Sequence, residues 1–232
     1  TFVITGNHDA NLNNPHRLDA LTPIVQGLKH RNLYYLRDSG MYDLYTPEQR
    51  IGLSVFSLLG ETDKYITYDK IDDADEYDLL VALYHGTVAN SKVDSGMNIE
   101  HGLSWDTFAG YDVAPLGDIH KRQVLSAENP LMFYPGSTVQ QNFGEAYEGH
   151  GYAIIDVRDP KDLKYEFHDL PNEYVSLDED LSFDEDLPSD PIKREHMKLR
   201  KNILQTDSKA KKLYKEYLES DDSDVRNKYL HY

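Results

Sequence analysis

Three apolar runs of this chain stop abruptly in short clusters of oxygen and nitrogen donors. TFVIT at the start runs into Gly6, Asn7, His8 and Asp9; YDLLVALYHG delivers His85; YDVAPLGDIH delivers Asp118 and His120. Runs of this composition bounded by Gly, Asp and Pro read as strands. In layered α/β folds the loops at strand ends are where sites are built, because a rigid sheet fixes where each loop starts. The alternation of such runs with loops predicts an α/β fold with its chemistry gathered at strand ends.

The remaining pattern fills in that frame. NLYYL, GMYDLY, IGLSVFSLLG, GHGYAIIDVRD and LKYEFHDL read as further strands, and VLSAENPLMFYPGS as a hairpin. PHRLDALTPIVQGL, with Pro15 early and apolar residues at helical spacing, predicts a helix over 15–28. From Asp169 to Asp190 there are nine acidic residues and no Lys or Arg, the composition of a solvated linker. Residues 191–232 turn helical and net basic, with eleven Lys and Arg against seven Asp and Glu. The expected organisation is therefore a domain over 1–168, an acidic linker over 169–190 and a helical segment over 191–232.

Composition narrows the chemistry. The 232 residues include no cysteine, so disulfides and thiolate metal sites are excluded, and a cytoplasmic location is the expectation. No apolar run reaches the roughly 20 residues of a membrane span. The net charge of −17 argues against a protein that grips nucleic acid by a basic face. An acidic body that handles a phosphodiester needs local cations, and bound metal ions are the usual source. Asn, His and Asp at the three strand ends are donors suited to manganese, magnesium, iron or zinc in an open site. Lys121 and Arg122, next to His120, and Arg17 are the cations available to a DNA backbone, though a solvated turn explains them equally well.

GNHD, YHG, LGDIHKRQ, YPGSTVQQNFGE and GHGYAIIDV together resemble the later motifs of the calcineurin-like metallophosphoesterases. Within them the chain is most similar to the SbcD branch, which includes the meiotic-recombination (Mre) nuclease and phage recombination endonuclease subunits. GNHD marks the superfamily; the GDIHK, YPGS, QQNFGE and GHGY combination points to the nuclease branch. The resemblance covers residues 1–168.

It implies a β-sandwich flanked by helices, holding two divalent metal ions, Mn²⁺ first and Mg²⁺ second. It implies metal-ligand roles for Asn7, His85 and His120. His8 would stand beside the scissile phosphate, to stabilise it or protonate the leaving oxygen, with Asp9 orienting it. Asp118 stands where the family carries His, and as a harder ligand it favours Mn²⁺ or Mg²⁺. The family places two carboxylate motifs on strands before GNHD, so this chain is expected to begin within the domain, and alone to bind metal weakly and to be inactive. The implied activity is DNA cleavage in repair, recombination or replication, in a bacterial or phage-infected cell. The implied partners are DNA and an SbcC-like SMC/ABC ATPase, with a homodimer a further expectation. Two other readings stay open: a phosphatase or phosphodiesterase on a small substrate, and a noncatalytic scaffold with a degenerate site.

Overall fold

In the computed structural model, residues 1–171 are described, other than 11, 13, 15, 16, 94, 95, 142–144 and 147. The chain divides into two units, Thr1–Leu170 and Pro171–Tyr232. The helical segment over 191–232, and the acidic linker beyond residue 171, lie outside the described residues.

The first unit is built on a six-stranded mixed sheet. Its strands are β3 (Gly40–Tyr45), β4 (Arg50–Phe56), β5 (Leu79–His85), β6 (Val113–Gly117), β7 (Gln123–Ser126) and β8 (Leu131–Tyr134), in the order β3-β4-β5-β6-β8-β7. β4, β5, β6 and β8 run parallel, and β3 and β7 close the two edges antiparallel. Parallel strands covered on both faces must be apolar almost throughout, and LLVALY and IGLSVF meet that demand.

Side chains alternate between two cores, as the pleat requires. Leu80, Ala82, Tyr84, Ala114, Leu116, Met132 and Tyr134 face one core, filled by Phe56, Tyr65, Phe108 and Tyr111. Leu79, Val81, Val113, Leu131 and Phe133 face the other. That second face is covered by two small sheets, the parallel pair β1 (Phe2–Val3) and β2 (Tyr34–Tyr35), and the antiparallel pair β9 (Gly151–Asp156) and β10 (Lys164–Asp169). Ile4 and Leu36 pack there from the first pair, and Ala153, Ile155 and Phe167 from the second. The ring of Phe133 stacks on Tyr165 and meets Phe167 edge to face.

The layering is compatible with a metallophosphoesterase-like α/β fold, but its helices are few. Among the described residues there is one α-helix, α1 (Leu21–Leu28), with no buried residue. Among the described residues, loops and single 3-10 turns pack on the aromatic core. No helix among them is long and apolar enough to cross a membrane.

The helix expected over 15–28 begins only at Leu21 because Asp19 is used as an anchor. Its carboxylate, almost fully buried, accepts from the Thr22 amide (2.7 Å) and hydroxyl (2.8 Å), from the Tyr35 hydroxyl (2.9 Å) and from Arg37 Nε (3.0 Å). Asp19 thus braces the chain one residue ahead of the N-cap, Ala20, which has no side-chain cap of its own, and Pro23 fits the first turn that follows.

Candidate functional site

The parallel order of β5, β6 and β8 puts their C-terminal ends along one edge of the sheet, the position where α/β folds build sites. Register aligns His85, the last residue of β5, with Gly117, the last of β6. His85 therefore stands directly beside the loop that carries Asp118. β1, on the covering layer, leads its own exit turn, Gly6–Asp9, to the same place.

Asn7 joins the ends. Its amide nitrogen donates to Asp118 Oδ1 at 3.1 Å, and its amide oxygen lies 3.1 Å from His85 Nε2. His85 Nε2 and Asp118 Oδ1 are 3.8 Å apart, and the other oxygen of Asp118 accepts from Thr87 Oγ1 at 3.2 Å. Residues 78 and 111 positions from Asn7 in the chain thus share one cluster. Burial holds the His85 imidazolium pKa below its ordinary value. Asp118 and Asp9 oppose that, and His8 and His120 are near enough to reinforce it.

The backbone is shaped for these side chains. Asp118 adopts φ 91°, in the left-handed region that only Gly, Asn and Asp visit readily. Gly6 and Gly117 wall the His85 ring: a Cβ on Gly6 would stand 3.1 Å from Cε1 and Nε2, and one on Gly117 would stand 2.6 Å from Nδ1.

The other predicted residues divide between this centre and its surroundings. His8 is exposed at the turn and, with Asn7, Asp9 and Arg17, lines an open cavity of about 760 Å³. Asp9, expected to orient His8, accepts from the Gly6 amide at 2.8 Å through one carboxylate oxygen. It fixes the turn that carries His8. His120 has Nδ1 2.7 Å from Glu145 Oε1. Arg122, expected on a DNA path, is committed elsewhere: it pairs with Asp169 (2.7 Å) and lies over the Phe167 ring. Lys121 lies half-buried beside it.

One imidazole nitrogen, one carboxylate and one amide oxygen converge, which is a donor set for a hard or borderline divalent cation. Among the described residues no three His, Cys, Asp or Glu side chains are grouped to hold an ion by themselves. The third donor of the cluster is the amide of Asn7. Glu145 was not singled out from the sequence, although it closes the QQNFGE motif; its contact with His120 spans 25 residues and has no local signature.

No family model matches the chain. It is 42% identical over 159 residues to an uncharacterized protein, R555, of Acanthamoeba polyphaga mimivirus, across 65% of this chain and 11% of that protein. It is 36% identical over 103 residues to an uncharacterized metallophosphoesterase, YhaO, of Bacillus subtilis, across 42% of this chain and 24% of that protein. The chain thus spans only a minor part of the length of either relative. The second similarity supports a relationship to the metallophosphoesterase superfamily.

Proposed function

We propose that the chain contributes to a metal-dependent phosphodiesterase that cleaves DNA, working with an SMC-like ATPase. The observation that carries this reading is the convergence of Asn7, His85 and Asp118 at the ends of β1, β5 and β6, beside the exposed ring of His8. Asn7, His85, Asp118 and His120 would hold divalent cations, Mn²⁺ by preference, and a pair of such ions supplies a nucleophilic hydroxide and neutralises phosphoryl charge.

The remaining work falls to the chain's own groups. His8, on the cavity wall and free of the cluster, transfers a proton to the departing oxygen of the phosphodiester. Arg17 on the same wall pairs with a non-bridging phosphoryl oxygen. Asp9 holds the turn through the Gly6 amide, so His8 keeps its place as charge changes nearby. Among the described residues Arg122 is tied to Asp169, and the chain as a whole carries a net charge of −17, a deficit of cations for duplex DNA. A partner that contributes cations fits that deficit. The same deficit favours a second reading, a phosphodiesterase on a small substrate.

The test is cleavage of linear duplex DNA and of bis-p-nitrophenyl phosphate with Mn²⁺ by the full-length natural protein, its His8→Gln variant and its His85→Ala variant. DNA cleavage that falls about 10²- to 10⁴-fold in His8→Gln supports the nuclease. Hydrolysis of the small diester alone supports the second reading. Inactivity toward both overturns the catalytic reading and leaves a scaffold.

A further inference from the structure

We infer that Glu145 is a positioning residue for His120: its buried carboxylate fixes the tautomer and the aim of the imidazole, so that Nε2 carries the lone pair offered to a metal ion. The inference rests on the proposed metal-ligand role of His120 and goes beyond it by assigning a residue outside the ligand set.

The geometry is that of a carboxylate–histidine pair. Glu145 Oε1 lies 2.7 Å from His120 Nδ1; the side chain of Glu145 is 4% exposed, whereas that of His120 is 35% exposed. A carboxylate oxygen accepts, so Nδ1 carries the hydrogen and the lone pair resides on Nε2. Metal-binding histidines commonly hand their second nitrogen to such a carboxylate, which sets ring orientation and raises ligand basicity. The other oxygen, Oε2, accepts from the Gln141 amide at 2.9 Å, so the carboxylate cannot swing without breaking a backbone bond.

The loop that presents Glu145 is braced on both sides of it. On one side, the Ser137 amide donates to the His120 carbonyl at 3.1 Å, and the Gln140 side-chain amide donates to the Glu145 carbonyl at 2.9 Å. Gly136, at φ 85°, passes so close that a Cβ would stand 2.8 Å from the His120 carbonyl oxygen. On the other side is buried His150. Its Nε2 lies 2.7 Å from the Ala146 carbonyl and must donate, so its Nδ1 accepts from Ser137 Oγ at 2.8 Å. YPGS and GHGY are thereby pinned to each other, with Glu145 held between them against His120.

The test uses the full-length natural protein, metal-free and ¹⁵N-labelled, at a pH where histidines are neutral. Long-range ¹H–¹⁵N spectra report which nitrogen of His120 is protonated. The parent is expected to show the Nδ1–H form and Glu145→Ala the Nε2–H form that imidazoles favour in water. Glu145→Gln keeps one acceptor oxygen where the carboxylate serves both His120 and the Gln141 amide, so it restores Nδ1–H only in part. Calorimetric titration with Mn²⁺ alone is expected to show binding weakened about 10- to 100-fold in Glu145→Ala and less in Glu145→Gln. If the alanine variant does not fold, Glu145→Leu fills the buried volume without an acceptor and is judged by the same two readouts.

An Nδ1–H form that persists without the carboxylate overturns the inference. So does Mn²⁺ affinity equal to the parent's in Glu145→Ala when His120→Ala has lost it. If His120→Ala itself leaves Mn²⁺ binding unchanged, the ligand role of His120 fails, and the tautomer spectra still decide whether Glu145 positions the ring.

Discussion

The imidazole of His85 rests against the backbone of Gly117, its register partner across β5 and β6, with room for hydrogen but none for a methyl group. A Cβ at position 117 would sit 2.6 Å from Nδ1, closer than any real Cβ contact. The Gly117→Ala variant is therefore expected to displace the ring from Asn7 and Asp118. Overpacking of this kind costs about 1–3 kcal/mol. Metal-dependent activity should fall at least about 10-fold while the far-ultraviolet circular dichroism is unchanged, given how steeply rate depends on placement. Parent-like activity in a folded variant would show that the ring position does not matter.

Asp118 separates backbone from chemistry. At φ 91° its conformation costs free energy that glycine avoids. Replacement by glycine should leave stability unchanged or raise it by up to about 1 kcal/mol, because strain relief offsets the greater freedom of the unfolded chain. The same replacement removes the bonds to Asn7 and Thr87 and should abolish Mn²⁺-dependent hydrolysis. Urea unfolding paired with an activity assay checks both. A variant that is stable and fully active would exclude Asp118 from the site.

Asp19 predicts how stability responds to acid. Burial works to raise its pKa, but the Thr22 amide and hydroxyl, Arg37 and Tyr35 outweigh it and hold the carboxyl well below the usual carboxylate range. A carboxyl depressed in the folded state contributes stability that is fully present above its unfolded value, near 3.9, and is lost as pH falls below it. Asp19→Ala should cost about 2–4 kcal/mol at pH 7, from the lost brace ahead of α1 and the orphaned partners. Its penalty should shrink in urea titrations at pH 3. A penalty that is independent of pH would mean that the charge plays no part.

Tyr134 holds the loop that follows His85. Its buried hydroxyl donates to the Gly86 carbonyl and accepts from the Val88 amide, both at 2.9 Å, and burial pushes its pKa up to about 12. Tyr134→Phe leaves both backbone groups without that partner. The expected loss is about 1–3 kcal/mol in thermal unfolding, with weaker Mn²⁺ affinity because Thr87 and its bond to Asp118 lie between them. Unfolding at the parent's temperature would indicate that water replaces the hydroxyl.

Some of this was legible in the residues. The strands carrying IGLSVF, LLVALY and LMFY follow from continuous apolar runs, and GNHD, YHG and GDIH stand at the ends of strands as their composition foretells. The start of α1 did not, since Asp19 is a solvent-facing position on any helical wheel until Tyr35 and Arg37 come to meet it. Arg122 read as a surface cation beside a site because Asp169 and Phe167, which hold it, belong to β10. The bond from the Gly6 amide to Asp9, which closes the turn carrying His8, has no mark of its own in the sequence.

What the sequence determined by itself is therefore local: which stretches extend, where each stops, and which donors wait at the stop. Those depend on neighbouring residues and on the two-residue period of a strand. Only the tertiary structure decided which ends meet. The alignment of His85 with Gly117, the passage of β1 over the second core and the pairing of His120 with Glu145 join residues far apart in the chain. Such pairings are set by how two hydrophobic faces pack as a whole, and a slip of one residue in the register of β5 would turn His85 to the other face of the sheet.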